Sequence, residues 1–184
     1  MSYDMILKQS LKLHNDGQLD EAEQLYRQIL ETVPGHPVVL NLLGLIAQSR
    51  GLHKQATDFF SRAIAQNPQS AEYYFNLAWS EERSGQKAQA AEAYLRALQL
   101  QPGIKEAHNA LGNIYAGQGK TEQAKEQYNQ AALLDPGYIE PLANLAKMEK
   151  DLSALQKLAE QHPNDALIPY YMGLLYRQQG NTAA

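Results

Sequence analysis

The stretch LNLLGLIAQSRGLHKQATDFFSRAIAQNP, residues 40–68, contains two helical segments divided by a glycine and closed by a proline. The first runs from an apolar start near Val38 to just before Gly51, and the second from a residue or two beyond it to just before Pro68. Glycine supplies the left-handed residue that ends a helix and turns the chain. Proline cannot continue the hydrogen-bond ladder, so it closes the second helix. Between them, Leu43, Gly44, Ala56, Phe60 and Ala63 alternate small and large residues, as close helix packing requires.

The same residue types recur outward in both directions. Prolines stand at Pro34, Pro68, Pro102 and Pro136, and glycines at Gly17, Gly51, Gly85 and Gly119, each 34 residues apart. Alanines at Ala22, Ala56, Ala90 and Ala124 keep step, each followed four residues later by Tyr26, Phe60, Tyr94 or Tyr128. Ile29, Ala63, Ala97 and Ala131 follow three further on. Leu43-Gly44, Leu77-Ala78, Leu111-Gly112 and Leu145-Ala146 hold one register, with Gln9-Ser10 as a weaker first copy. In AEQLYRQIL, Ala22, Leu25, Tyr26, Ile29 and Leu30 form a single helical stripe. The expected organisation is one array over 1–184, with units at 3–36, 37–70, 71–104 and 105–138, a shortened unit at 139–163 and half a unit at 164–184.

These positions resemble the tetratricopeptide (TPR) family, whose 34-residue motif carries Leu-Gly, Tyr, Ala, Phe and Pro at this spacing. HNALGNIYAGQGKTEQAKEQYNQAALLDP matches it at Leu111, Gly112, Tyr115, Ala124, Tyr128, Ala131 and Pro136. The family's early tryptophan is replaced by Ile6, Leu40, Tyr74, His108 and Leu142. The resemblance implies an all-α, right-handed α-solenoid of antiparallel helix pairs. More loosely, the chain is similar to the N-terminal arrays of bacterial TPR proteins that continue into a glycosyl-, sulfo- or methyltransferase domain.

NLAKMEKDLSALQKLAEQHP, residues 144–163, breaks the register, because its proline arrives seven residues early and the preceding glycine is missing. One arrangement is a compressed hairpin, ending its first helix near Glu149 or Lys150 and capping a short second helix with Asp151 or Ser153. The other is a single helix over 140–161, since seven residues are close to two helical turns and keep the apolar face in phase. The hairpin is the favoured expectation. Beyond Pro163, Met172-Gly173, Tyr176 and Gly180 read as the first half of a sixth unit. With no second helix to cover it, Tyr170, Tyr171, Leu174 and Leu175 are expected to form an apolar surface suited to self-association.

Composition excludes several classes of function. A net charge of -4 gives no general attraction to nucleic acid or anionic membranes. There are no cysteines, so disulfides, thiolate metal sites and cysteine nucleophiles are ruled out. No signal sequence or apolar span is visible, and a cytoplasmic protein without cofactors is expected. The histidines are scattered, the serines lack a nucleophile-elbow context, and GNIYAGQG follows no strand. Carboxylate pairs such as Glu81-Glu82 read as solvated helix faces, so no catalytic or metal site is expected in this chain.

In the TPR family the first helix of each unit lines a concave groove. Carried onto this sequence, that rule selects Asn41, Leu45, Gln48, Phe75, Asn76, Trp79, Glu82, Arg83, Asn109, Asn113, Asn144 and Lys147 as a groove for a peptide or partner protein. Trp79 is the single tryptophan, placed to anchor a ligand or to be buried between helices. The asparagines are poor mid-helix residues whose amides suit an extended backbone. They partly resemble the asparagine ladder of TPR arrays fused to glycosyltransferases, with Asn76 and Asn144 at the ladder position. The basic residues of a two-carboxylate clamp fall on Leu7, Glu72 and Asn76 and are therefore absent. Asp4, Glu72, Glu106 and Glu140 share one motif position, serving helix N-termini or forming an acidic groove edge.

Overall fold

A computed structural model describes residues 3–178. Within them lie eleven helices and no strand: α1 Tyr3–Asn15, α2 Leu19–Thr32, α3 Pro37–Ser49, α4 His53–Gln66, α5 Ala71–Arg83, α6 Lys87–Leu100, α7 Lys105–Gly117, α8 Thr121–Leu134, α9 Ile139–Glu149, α10 Leu152–Gln161 and α11 Leu167–Gln178. The fold is an all-α solenoid. No helix among the described residues is long and apolar enough to cross a membrane. The chain divides into two compact units, Met1–Pro102 and Gly103–Ala184.

The turns inside the helix pairs explain the glycine register. Gly17, Gly51, Gly85 and Gly119 have φ between 72° and 80°, the left-handed conformation. The next residue's N–H closes back on a carbonyl five positions earlier: Gln18 to Leu13, Leu52 to Ala47, Gln86 to Glu81 and Lys120 to Tyr115. Each closure satisfies carbonyls that the helix end leaves orphaned.

In the first unit, Tyr26, Phe60 and Tyr94 are fully buried. Phe60 lies directly on the bare backbone of Gly44, where an added Cβ would stand 2.7 Å from the ring's Cδ1. The second unit repeats this contact, with Gly112 in the same relation to Tyr128 Cε1 at 2.6 Å. Tyr26 also donates to the Ser10 carbonyl at 3.4 Å, tying α2 to the weaker first copy. Arg50, in the α3–α4 turn, holds Asp20 and Glu23 of α2.

In the second unit, residues 140–161 form a hairpin rather than one helix. Lys150 takes the left-handed conformation at φ 56°, and Asp151 N–H closes on the Ala146 carbonyl at 2.8 Å. Asp151 then caps α10, accepting from Ala154 N–H at 3.0 Å and from the Ser153 hydroxyl at 2.7 Å. These bonds hold its carboxyl below the usual range. The deletion is spread over the whole hairpin. Helix α9 has 11 residues against 13 in α7, α10 has 10 against 14 in α8, and the turn loses one more. Leu155 replaces the aromatic and is fully buried with Ala143, Ala146, Ile168, Tyr171 and Leu175. An open depression of about 320 Å³ lies beside Leu142, Leu145 and Leu158.

Two sequence expectations change here. Tyr171 and Leu175 are buried on α9 and α10, because with Ile168 they form the inward stripe of α11. The exposed apolar surface therefore shrinks to Tyr170 and Leu167, with Leu174 half-buried. Gly180 lies outside the described residues. Glu81 is not a solvated acid, since its Oε2 is buried and has no hydrogen-bond partner. At the same register, 34 residues away on either side, stand Ala47 and Tyr115. Burial, with Glu92 adding repulsion, pushes the Glu81 carboxyl up to about 7.

Three measurements check this account. Gly44→Ala and Gly112→Ala each cost about 1–3 kcal/mol by forcing the facing ring aside, lowering the thermal midpoint. Lys150→Gly removes left-handed strain and stabilises by up to about 1 kcal/mol in denaturant titration, despite glycine's greater unfolded-state freedom. Glu81 has a raised folded pKa, so the folded chain keeps a proton that the unfolded chain has released above the ordinary value of 4.5. Its contribution to stability is therefore full below that value, falls as pH rises towards 7, and stays low above it. Glu81→Leu should stabilise more at pH 8 than at pH 5, and an equal gain at both would refute the assignment.

Candidate functional site

The selected face of the first unit is built from α3 and α5, which neighbour each other through side-chain hydrogen bonds. Asn41 donates to Glu72 Oε1 at 2.8 Å and accepts from Asn76 Nδ2 at 3.0 Å. Further along, Gln48 donates to the Ser80 hydroxyl at 3.2 Å. Asn41 and Asn76 are only 3% and 8% exposed, so their amides bridge helices rather than facing solvent. Glu72, one of the residues sharing the acidic motif position, belongs to that bridge. Ser80 is a member that the sequence reading did not select; its burial at 0% exposure was the available signal only once the helix faces were known.

What remains accessible beside the bridge is largely aromatic. Leu45, Gln48, Phe75, Trp79 and Glu82 are half-buried, and Arg83 is exposed. Phe75 meets Tyr94 edge-on at 5.8 Å. Trp79 is neither fully buried nor fully free: His53 packs its edge at 5.7 Å, and the Arg83 guanidinium lies 4.9 Å above the indole. Such a stack orients the cation and keeps its donors in one plane. The Glu82 carboxylate accepts from the Tyr94 hydroxyl at 3.0 Å.

The second unit offers a different surface. Asn109 donates to the Tyr138 hydroxyl at 3.1 Å, while its buried Oδ1 has no hydrogen-bond partner. Tyr138 also lies near Lys105, whose Nζ is 5.5 Å from the ring and 2.5 Å from Asp135. Burial, together with Glu140, pushes the Tyr138 hydroxyl up to about 12, so it stays protonated. Asn113 is exposed, and its Oδ1 accepts from both Tyr128 Oη at 2.8 Å and Asn144 Nδ2 at 3.1 Å. Two donors on one oxygen fix the amide's orientation and turn its NH2 group outward. Asn144 is 3% exposed, and Lys147 rests 5.2 Å over Tyr171. Among the described residues, no group of three or more His, Asp or Glu is placed to hold a metal ion.

Glycine-turned helix pairs with an aromatic seated on a small residue define a helical-repeat solenoid. Comparison with known families gives it a name. Two tetratricopeptide repeat models match, over residues 13–78 and 75–139, and together they span most of the chain. The chain belongs to the tetratricopeptide repeat family. Among solved structures it is similar to a tetratricopeptide repeat protein from Parabacteroides merdae, with TM-score 0.86 and 19% identity over 97% of this chain and 74% of that one. It is also similar to YrrB, described as a TPR protein with an unusual peptide-binding site, with TM-score 0.79 and 21% identity over 90% and 89% of the two chains. MamA matches with TM-score 0.68 and 23% identity over 94% of this chain and 85% of that one. No curated protein matches this chain.

Removing Asn41 tests whether the bridge is structural. Asn41→Ala leaves the buried Asn76 amide without its acceptor and should cost about 1–3 kcal/mol in denaturant unfolding. A loss under about 0.5 kcal/mol would mean that water replaces the amide freely.

Proposed function

We propose that this chain is a protein–protein interaction module that holds an extended peptide or partner segment against the first-helix faces of its repeats, as scaffold or recruiter. The observation that carries this reading is the Trp79 platform. A half-buried indole, its ring partly covered by a cation and its edge fixed by His53, presents rigid apolar area at low entropic cost. Asn113 supports it in the second unit, with an amide held by Tyr128 and Asn144 and its donors turned outward to meet backbone carbonyls. Membership of the tetratricopeptide repeat family is consistent with this use, and a peptide-binding site is what YrrB is described as having. Asn41, Asn76 and Asn144 serve that face indirectly, by fixing the spacing of the helices that carry it.

A peptide array probed with the chain provides the test. Trp79→Ala should weaken capture of the bound peptides at least tenfold, with a thermal midpoint within a few degrees of the parent. Leu133→Ala, at a 76% exposed site on α8, should leave capture unchanged. Equal loss of binding and stability in Trp79→Ala would make the tryptophan structural and defeat the reading.

Exposure of Tyr170 at 61% and Leu167 at 43% favours self-association through α11 as a second reading. Sedimentation across a wide concentration range decides it: a monomer throughout, unchanged by Tyr170→Ser, rejects assembly.

A further inference from the structure

The first unit contains Arg27, Arg50, Arg62, Arg83 and Arg96. Arg27 holds Glu23, Arg50 holds Glu23 and Asp20, Arg62 pairs with Asp58 at 3.6 Å, and Arg96 donates to the Gln99 carbonyl oxygen at 3.0 Å. Arg83 differs. Among the described residues it has no carboxylate or carbonyl partner, and its guanidinium lies 4.9 Å from the centroid of the Trp79 ring. The acids nearest it in sequence are otherwise engaged. Glu82 accepts from Tyr94, and one Glu81 oxygen is buried in a surrounding that favours the protonated acid. At the far end of α5, Glu72 accepts from Asn41. The exposed end of α5 therefore carries a cation with open donors beside a flat apolar surface.

We propose that the α5 face around Trp79 and Arg83 binds a peptide segment in which a carboxylate side chain stands next to an apolar one. This rests on the reading of the first-helix face as a peptide-binding surface, and adds the chemistry of its ligand. The carboxylate pairs with the planar fork of Arg83, which can give two parallel N–H···O bonds while its cation lies over the indole. The apolar side chain covers the part of the indole that Arg83 and His53 leave open. The contact with the indole restrains the guanidinium, which lowers the ordering cost of binding relative to a free arginine. Arg83 also sits in the last turn of α5, where a cation complements the helix end, so removing its charge lowers stability slightly without any ligand.

Trp79 is the only tryptophan, so emission excited at the red edge of the indole band, where tyrosine does not absorb, reports on this surface. The probes are three acetylated octapeptides of alternating Leu-Glu, Leu-Gln and Leu-Lys, each carrying fluorescein for anisotropy and unlabelled for emission. Titrated into the full chain, the Leu-Glu peptide should shift Trp79 emission saturably and bind at least tenfold more tightly than Leu-Gln. Arg83→Gln should bring Leu-Glu down to the Leu-Gln level, and Arg83→Lys should retain part of the preference. A thermal scan of both variants confirms that they are folded. Equal binding of Leu-Glu and Leu-Gln, tighter binding of Leu-Lys, or no effect of Arg83→Gln overturns the carboxylate preference while leaving the peptide-binding reading in place. Absence of binding by all three peptides overturns both.

Discussion

The structure depends on the contact between a second-helix ring and the bare backbone of the first helix. Phe60 on Gly44 and Tyr128 on Gly112 bring each pair of helices closer than any side chain at those glycines would permit. Such rings bury large apolar areas, so each contact both stabilises its pair and fixes the distance between its helices. The neighbouring first helix must then stack on a surface whose position is already set. Where the small residue is Ala78, the ring of Tyr94 is still fully buried, so the contact tolerates a methyl group when its surroundings adjust. Where the ring becomes Leu155, the side chain is still fully buried, packed with Ala143, Ala146 and Ile168.

Much of this was legible in the sequence, because glycine, proline and aromatic positions each correspond to one backbone or packing requirement. The shortened hairpin was harder to decide. A deletion of nearly two helical turns preserves the apolar phase, so periodicity alone admits both a hairpin and a continuous helix. What breaks the helix is Lys150 in the left-handed conformation, and lysine gives no sequence signal for that role. Asp151, by contrast, was legible as a cap, since a carboxylate before a helical stripe has one common use.

The candidate face was legible in position and less so in orientation. Spacing places Asn41, Asn76, Asn109 and Asn144 on first helices, but it cannot say which side of a helix meets the next one. The structure buries all four, and each of them bonds a residue 29 to 35 positions away. Partners so distant in sequence are set by the stacking of successive pairs, which no local window contains. The same limit hid Glu81. Its neighbour Glu82 keeps an ordinary partner in Tyr94, while one oxygen of Glu81, a residue further round the helix, is buried without a partner.

These internal bonds also shape what the surface offers. A mid-helix asparagine costs helix propensity, and burying its amide costs least when both ends are paired. Asn41 meets that condition by holding Glu72 and Asn76 at once. Each such pairing occupies an amide group that a partner could otherwise use. On the proposed face, the NH2 of Asn113, the indole of Trp79 and the guanidinium of Arg83 are the groups we assign to recognition. Two of these three lie on a single helix, one turn apart. The proposed anchor therefore occupies a short length of α5, on a helix whose distance from α3 the Asn41–Asn76 bond helps to set.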